Sequence, residues 1–68
     1  MARLLEETEI YEVFAKVKPE EPLRHCGNVM ATDDEGAKVY AYKMYDEFPW
    51  TEMVVIPRRK MITVIRTK

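Results

Sequence analysis

Between Pro22 and Tyr45 the chain reads PLRHCGNVMATDDEGAKVYAYKMY, and this run constrains the fold more than any other. It joins a strand-like segment to the only stretch with clear helical chemistry. Thr32 stands where an N-cap belongs and Glu35 follows three residues later, the spacing of a T-x-x-E capping box. The Thr32 hydroxyl can accept from the Glu35 amide while the Glu35 carboxylate reaches back to the Thr32 N–H. Asp33, Asp34 and Glu35 put negative charge at the positive end of the helix dipole. Ala37, Tyr40, Ala41 and Met44 then recur at i, i+3, i+4, i+7, the pattern of a buried helical face. The spacing predicts a helix from Asp33 to Asp46, with Gly36 in its first turn costing about 1 kcal/mol relative to alanine. Pro49 closes it, because the residue before a proline is pushed out of the helical region.

Val39, Tyr42 and Tyr45 lie off the Ala37–Met44 stripe, and one small sheet covers only one side of a helix. Their apolar surface is either exposed, as single tyrosines often are, or covered by a second chain. Chain length favours the second chain. A single domain of 68 residues buries only about 60% of the surface its unfolded form exposes, and its core supplies about 3–5 kcal/mol. One cysteine excludes an intramolecular disulfide, and with one histidine there is no Cys/His set for a structural zinc. Association is the common remedy that remains. The expectation is a homodimer using the Val39/Tyr42/Tyr45 side, an edge strand, or both.

Strand signals flank the helix. In Glu9–Lys18, Tyr11, Val13, Ala15 and Val17 face one way while Ile10, Glu12, Phe14 and Lys16 face the other, the alternation of a half-buried strand. Met1 to Thr8 reads as a short lead-in. The prolines and carboxylates of Lys18–Pro22 make a loop. A second strand follows over His25–Ala31, with Gly27 marking a bulge or a close backbone approach, so the two strands form an antiparallel hairpin or wider arch. Met53–Ile56 is a short apolar strand, Pro57–Lys60 interrupts it, and Met61–Arg66 resumes it. A hairpin of two strands is the favoured reading over one bent strand. The expected architecture is α+β: two layers, β-β-α-β(-β), an antiparallel sheet with one helix packed on one face.

Composition narrows the function classes. A net charge of −1 and a pI near 5.8 argue against wholesale nucleic-acid binding. Glu6 and Glu7 follow Met1–Leu5 directly, unlike a signal peptide, and no apolar run approaches the ~20 residues that span a membrane. A cytoplasmic protein is expected. The chain holds no Gln, no Ser and one Asn against 34% charged residues, a balance that points to a thermophilic source.

No residue set carries obvious chemistry. His25 and Cys26 are adjacent in a strand and point to opposite faces, so they read as a hydrogen-bonded histidine and a small buried hydrophobe rather than a dyad. Glu20-Glu21 is a solvated loop, and Asp33-Asp34-Glu35 is accounted for by helix capping. Arg58-Arg59-Lys60, with Arg66, Lys68 and Trp50 nearby, is the best candidate basic patch, since arginine beside aromatic rings contacts phosphates and bases. Trp50, at the helix–strand junction, is either a core anchor or an interface residue. There is no phosphate loop, catalytic triad or metal motif, so no catalytic residue, metal or cofactor is expected. The residues describe an interaction module, with a small RNA-binding or ribosome-associated protein as the alternative and an enzyme built on His25 further behind.

Tyr-Glu-Val-Phe at Tyr11–Phe14, then P-L-x-H-x-G-x-V-x-A-x-D from Pro22 to Asp33, an alanine/tyrosine helix and the Met53-Val54-Val55 strand are similar to the phenylacetic acid degradation protein B family. These are the small B subunits of ring 1,2-phenylacetyl-CoA epoxidase. The resemblance covers about Tyr11 to Ile56 and is most specific at His25, Gly27, Ala31 and Asp33. It implies a cofactor-free, non-catalytic accessory subunit that holds together a diiron catalytic subunit and its structural partner. This chain differs from the family pattern in its compact helix-to-strand connection and in ending at Lys68.

Overall fold

A computed structural model describes residues 8–67; of the expected lead-in, all but Thr8 lies outside them. The first strand, β1, spans Glu9–Lys16, and the second, β2, spans Arg24–Ala31. The helix, α1, covers Asp34–Met44, and a third strand, β3, covers Glu52–Pro57. The three strands form one antiparallel sheet in the order β2-β1-β3. Strand β1 is therefore central, while β2 and β3 are both edges. This is the α+β arrangement of one sheet and one helix. No helix among the described residues is long and apolar enough to cross a membrane.

The alternation of β1 sorts its two faces as expected. Tyr11, Val13 and Ala15 are all but fully buried against the helix layer, and Ile10, Phe14 and Lys16 on the opposite face are half-buried. The strand ends at Lys16, two residues short of the expected Lys18. Across the hairpin Val13 faces Gly27 and Phe14 faces His25, so Cys26 is the extra residue of a bulge. Gly27 takes φ +154°, and a Cβ there would meet the Tyr45 hydroxyl. The glycine is required by backbone and neighbour together.

The helix begins one residue later than the capping box implies. Asp33, extended at φ −154° and ψ 175°, is the N-cap, and its Oδ1 accepts from the Gly36 amide at 2.7 Å. A carboxylate at the helix N-terminus is a charge-assisted acceptor, stronger than the Thr32 hydroxyl. Glu35 is consequently not the reciprocal cap; its carboxylate lies 3.5 Å from Lys38 Nζ instead.

The buried stripe also differs from the expected one. Ala37 and Ala41 are buried, but Tyr40 and Met44 are 54% and 59% exposed. The residue that continues the stripe is Tyr45, which packs against the core from the helix C-cap. Two alanines let the helix backbone sit close to the sheet, and so narrow a seam has no room for Tyr40 or Met44. The core is thus Tyr11, Val13, Val29, Ala31, Ala37 and Ala41, flanked by Cys26, Tyr45, Met53 and Val55.

The fourth strand does not form. After β3, Arg58–Lys60 makes a single 3₁₀ turn, and Met61–Arg66 runs on exposed and outside the sheet. The reason lies in the turn itself. Arg58 bonds to Glu12 and Arg59 to Glu9, both on β1, so the turn packs on β1 rather than folding back along the free side of β3.

Candidate functional site

The helix lies chiefly over β2 and only partly over β3. Its offset opens a groove of about 590 Å³ along the β3 edge, lined by Glu35, Lys38, Val39, Tyr42 and Met53–Val55. Val39 and Tyr42, placed off the buried stripe by their spacing, stand 52% and 70% exposed on its helical wall. Tyr42 and Met53 also border a second hollow of about 370 Å³ that reaches Phe48 and Trp50. Val39, Tyr42 and Trp50 thus line a track of two adjoining hollows that share Tyr42 and Met53, largely apolar but rimmed by Glu35, Lys38, Asp46 and Glu52.

Tyr45 is not part of that track. Its hydroxyl sits over Gly27 and its carbonyl accepts from the Trp50 indole N–H. The Trp50 ring meets Phe48 edge-on at 5.4 Å and 72°, so Trp50 is both an anchor for the chain leaving the helix and a wall of the second hollow. The entry to β3 is held by Thr51, whose amide donates to the Lys16 carbonyl at 2.9 Å.

On the opposite face of the sheet, Glu12 is the centre of a polar cluster. Alternation places it on the open face, yet it is only 7% exposed. One oxygen is 2.6 Å from His25 Nε2; the other accepts from Arg58 Nε at 2.7 Å and lies 2.6 Å from Arg58 Nη2 in the same ion pair. The hydrogen bond with His25, then those from Arg58, hold the Glu12 carboxyl below the usual carboxylate range despite its burial. Phe14 stacks obliquely on the His25 ring at 5.1 Å and shields the pair. His25 is therefore the hydrogen-bonded histidine its position suggested, and Cys26 is a partly buried residue against the core. Among the described residues, no three of His, Cys, Asp and Glu converge. Sequence alone carries no sign of the cluster, because a glutamate at an outward strand position reads as solvated.

The basic run is exposed, but both of its arginines are paired with carboxylates. Arg58 is committed to Glu12, and Arg59 Nε donates to Glu9 Oε1 at 2.6 Å, a hydrogen bond that raises the Arg59 pKa. The carboxylates of β1 offset the charge of both guanidinium groups, and Lys60 is exposed beside them. A second buried polar contact lies nearby: Tyr11 donates to Asp34 Oδ1 at 2.9 Å. Burial first, and that carboxylate second, push the Tyr11 phenol up to about 12.

Comparisons with protein-family models, curated proteins and solved structures find no match to this chain. The geometry of its surfaces is what bears on function. Among the described residues, the large hydrophobic side chains are mostly outside: Met30, Val39, Tyr42, Phe48, Ile62 and Ile65 are all exposed, while only Tyr11 and Val13 are both large and fully buried. A surface so apolar relative to its core is chemically suited to association.

Proposed function

We propose that this chain is a non-catalytic accessory subunit that works by binding other protein chains in the cytoplasm. The observation that carries the reading is the apolar track of Val39, Tyr42 and Trp50 beside the free edge of β3. Edge strands flanked by apolar side chains bind partners through backbone hydrogen bonds and side-chain pockets together. The similarity of Tyr11–Phe14 and Pro22–Asp33 to the phenylacetic acid degradation B subunits supports a specific setting, a multicomponent diiron oxygenase of aromatic degradation. Pairing of Arg58 and Arg59 with Glu12 and Glu9 counts against the RNA-binding alternative.

The test is reconstitution. The full chain is mixed with the diiron catalytic subunit and the structural subunit encoded in the same genome, and mass is followed by light scattering. The expected result is a complex of fixed stoichiometry that Tyr42→Glu weakens at least tenfold. Absence of any complex at micromolar concentrations overturns the oxygenase setting.

A further inference from the structure

We infer that two copies of this chain exchange their Met61–Arg66 segments, each segment adding as an antiparallel strand to the free edge of the other copy's β3. The inference rests on the interaction reading above and deepens it by naming the occupant of the groove.

Both halves of such an interface are present in one molecule. The segment M-I-T-V-I-R is rich in β-branched residues, and Ile62, Val64 and Ile65 are 88%, 88% and 81% exposed. Its first residue already has extended backbone, φ −87° and ψ 130°. Among the described residues, strand β3 pairs on one side only, with β1, and its other side borders the groove walled by Val39 and Tyr42. Unpaired strand edges and exposed β-rich apolar segments are complementary surfaces.

The segment cannot serve its own β3 in this conformation. Arg58 and Arg59 are tied to Glu12 and Glu9 of β1, and β1 lies on the far side of β3 from the free edge. The turn is thereby drawn away from that edge, and Met61–Arg66 runs on exposed and outside the sheet. A second copy presents the same edge without this restriction. The exchange is isologous, so it closes as a two-fold dimer and does not propagate.

Length and charge select the direction. The six residues of Glu52–Pro57 match Met61–Arg66 when the two run antiparallel, with Glu52 opposite Arg66 and Pro57 opposite Met61. Glu52 is exposed, with one contact to Lys16 at 3.5 Å, and a carboxylate accepts more than one cation. Met53 and Val55 pack on the helix side of the sheet, so their partners Ile65 and Thr63 enter the groove beneath Val39 and Tyr42. Val54 and Ile56 lie on the other face with Phe14 and Glu12, and there Val64 and Ile62 extend the apolar surface.

A complementation experiment tests the exchange on the purified full chain. Wild type is expected to have a mass of about 16 kDa by light scattering, twice the 8.1 kDa of one chain. Tyr42→Glu damages the groove and Ile65→Asp damages the segment; each alone is expected to raise the dissociation constant at least tenfold. Mixed in equal amounts, the two variants regain one intact segment-in-groove contact. The mixture is then expected to dimerise more tightly than either variant by itself. A monomeric wild type, an undiminished Ile65→Asp dimer, or a mixture no tighter than its components overturns the exchange. Val39→Asp and Thr63→Asp replace the first pair should either lose helix content by circular dichroism. Because oxygenase subunits are absent, failure here leaves the hetero-complex reading to its own test.

Discussion

The Glu12 carboxylate and the Arg58 guanidinium, 46 positions apart in the chain, meet at 2.6–2.7 Å across the C-terminal end of β3. That contact closes a cluster begun by His25 on the edge strand β2, so Glu12 ties β2 to the turn after β3 on the face the helix does not cover. It also directs the turn that follows β3. Removing either partner should therefore affect stability and the path of the C-terminal segment together.

Glu12→Gln is expected to destabilise the fold by about 1.5–3 kcal/mol in urea at neutral pH, the worth of hydrogen bonds to a charged group. Wild type should also lose stability in acid. The Glu12 pKa is depressed in the folded state, so its contribution is complete above the unfolded carboxylate value of about 4.3 and is lost as pH falls through the lower folded value. A Glu12→Gln variant with the same slope of stability against pH below about 5 as wild type would show that another carboxylate is responsible.

Tyr11 makes the opposite prediction at the alkaline end. With its phenol pushed up to about 12, the folded state favours the neutral form. Its contribution is complete below the ordinary tyrosine value of about 10 and is lost as pH rises through about 12. Ultraviolet absorbance of phenolate should contain a component titrating near that pH. Tyr11→Phe should remove that component and leave the rest of the curve in place.

Gly27→Ala should cost about 1–3 kcal/mol, the usual range for a residue held in a backbone region it disfavours. The new methyl group also displaces the Tyr45 hydroxyl. Tyr45→Phe removes that obstacle but not the strain at φ +154°, so the double variant should recover only part of the loss. Full recovery in thermal melts would assign the whole effect to the side-chain clash.

Asp33→Ala should destabilise the protein by about 1 kcal/mol, the typical worth of a cap, and Thr32→Ala by clearly less. Chemical denaturation of the two variants separates them. A larger loss at Thr32 would restore the capping box spaced from Thr32 to Glu35.

Much of the fold follows from local chemistry. The alternation of Tyr11, Val13 and Ala15 places the core face of β1, Gly27 marks the bulge, and the acidic residues before Ala37 begin the helix. Each of these is a statement about neighbours within a few positions, where backbone geometry and side-chain period act directly. The helix surface is half legible: Val39 and Tyr42 lie off the buried stripe as their spacing implies, but Tyr45 turns inward because Gly27 leaves room for its hydroxyl. The cap, too, depended on a competition between Thr32 and Asp33 that a motif does not decide.

What tertiary structure alone decided is carried by contacts between residues far apart in the chain. Glu12 is buried where His25, from the neighbouring strand β2, and Arg58, from the turn that follows β3, reach it. Arg58 and Arg59, read singly as a basic patch, are drawn onto β1 by carboxylates 46 and 50 positions away. Met61–Arg66 has the composition of a strand, but a strand requires an edge within reach. The ion pairs at Arg58 and Arg59 set where the chain emerges, and so the β-propensity of that segment finds no strand partner among the described residues.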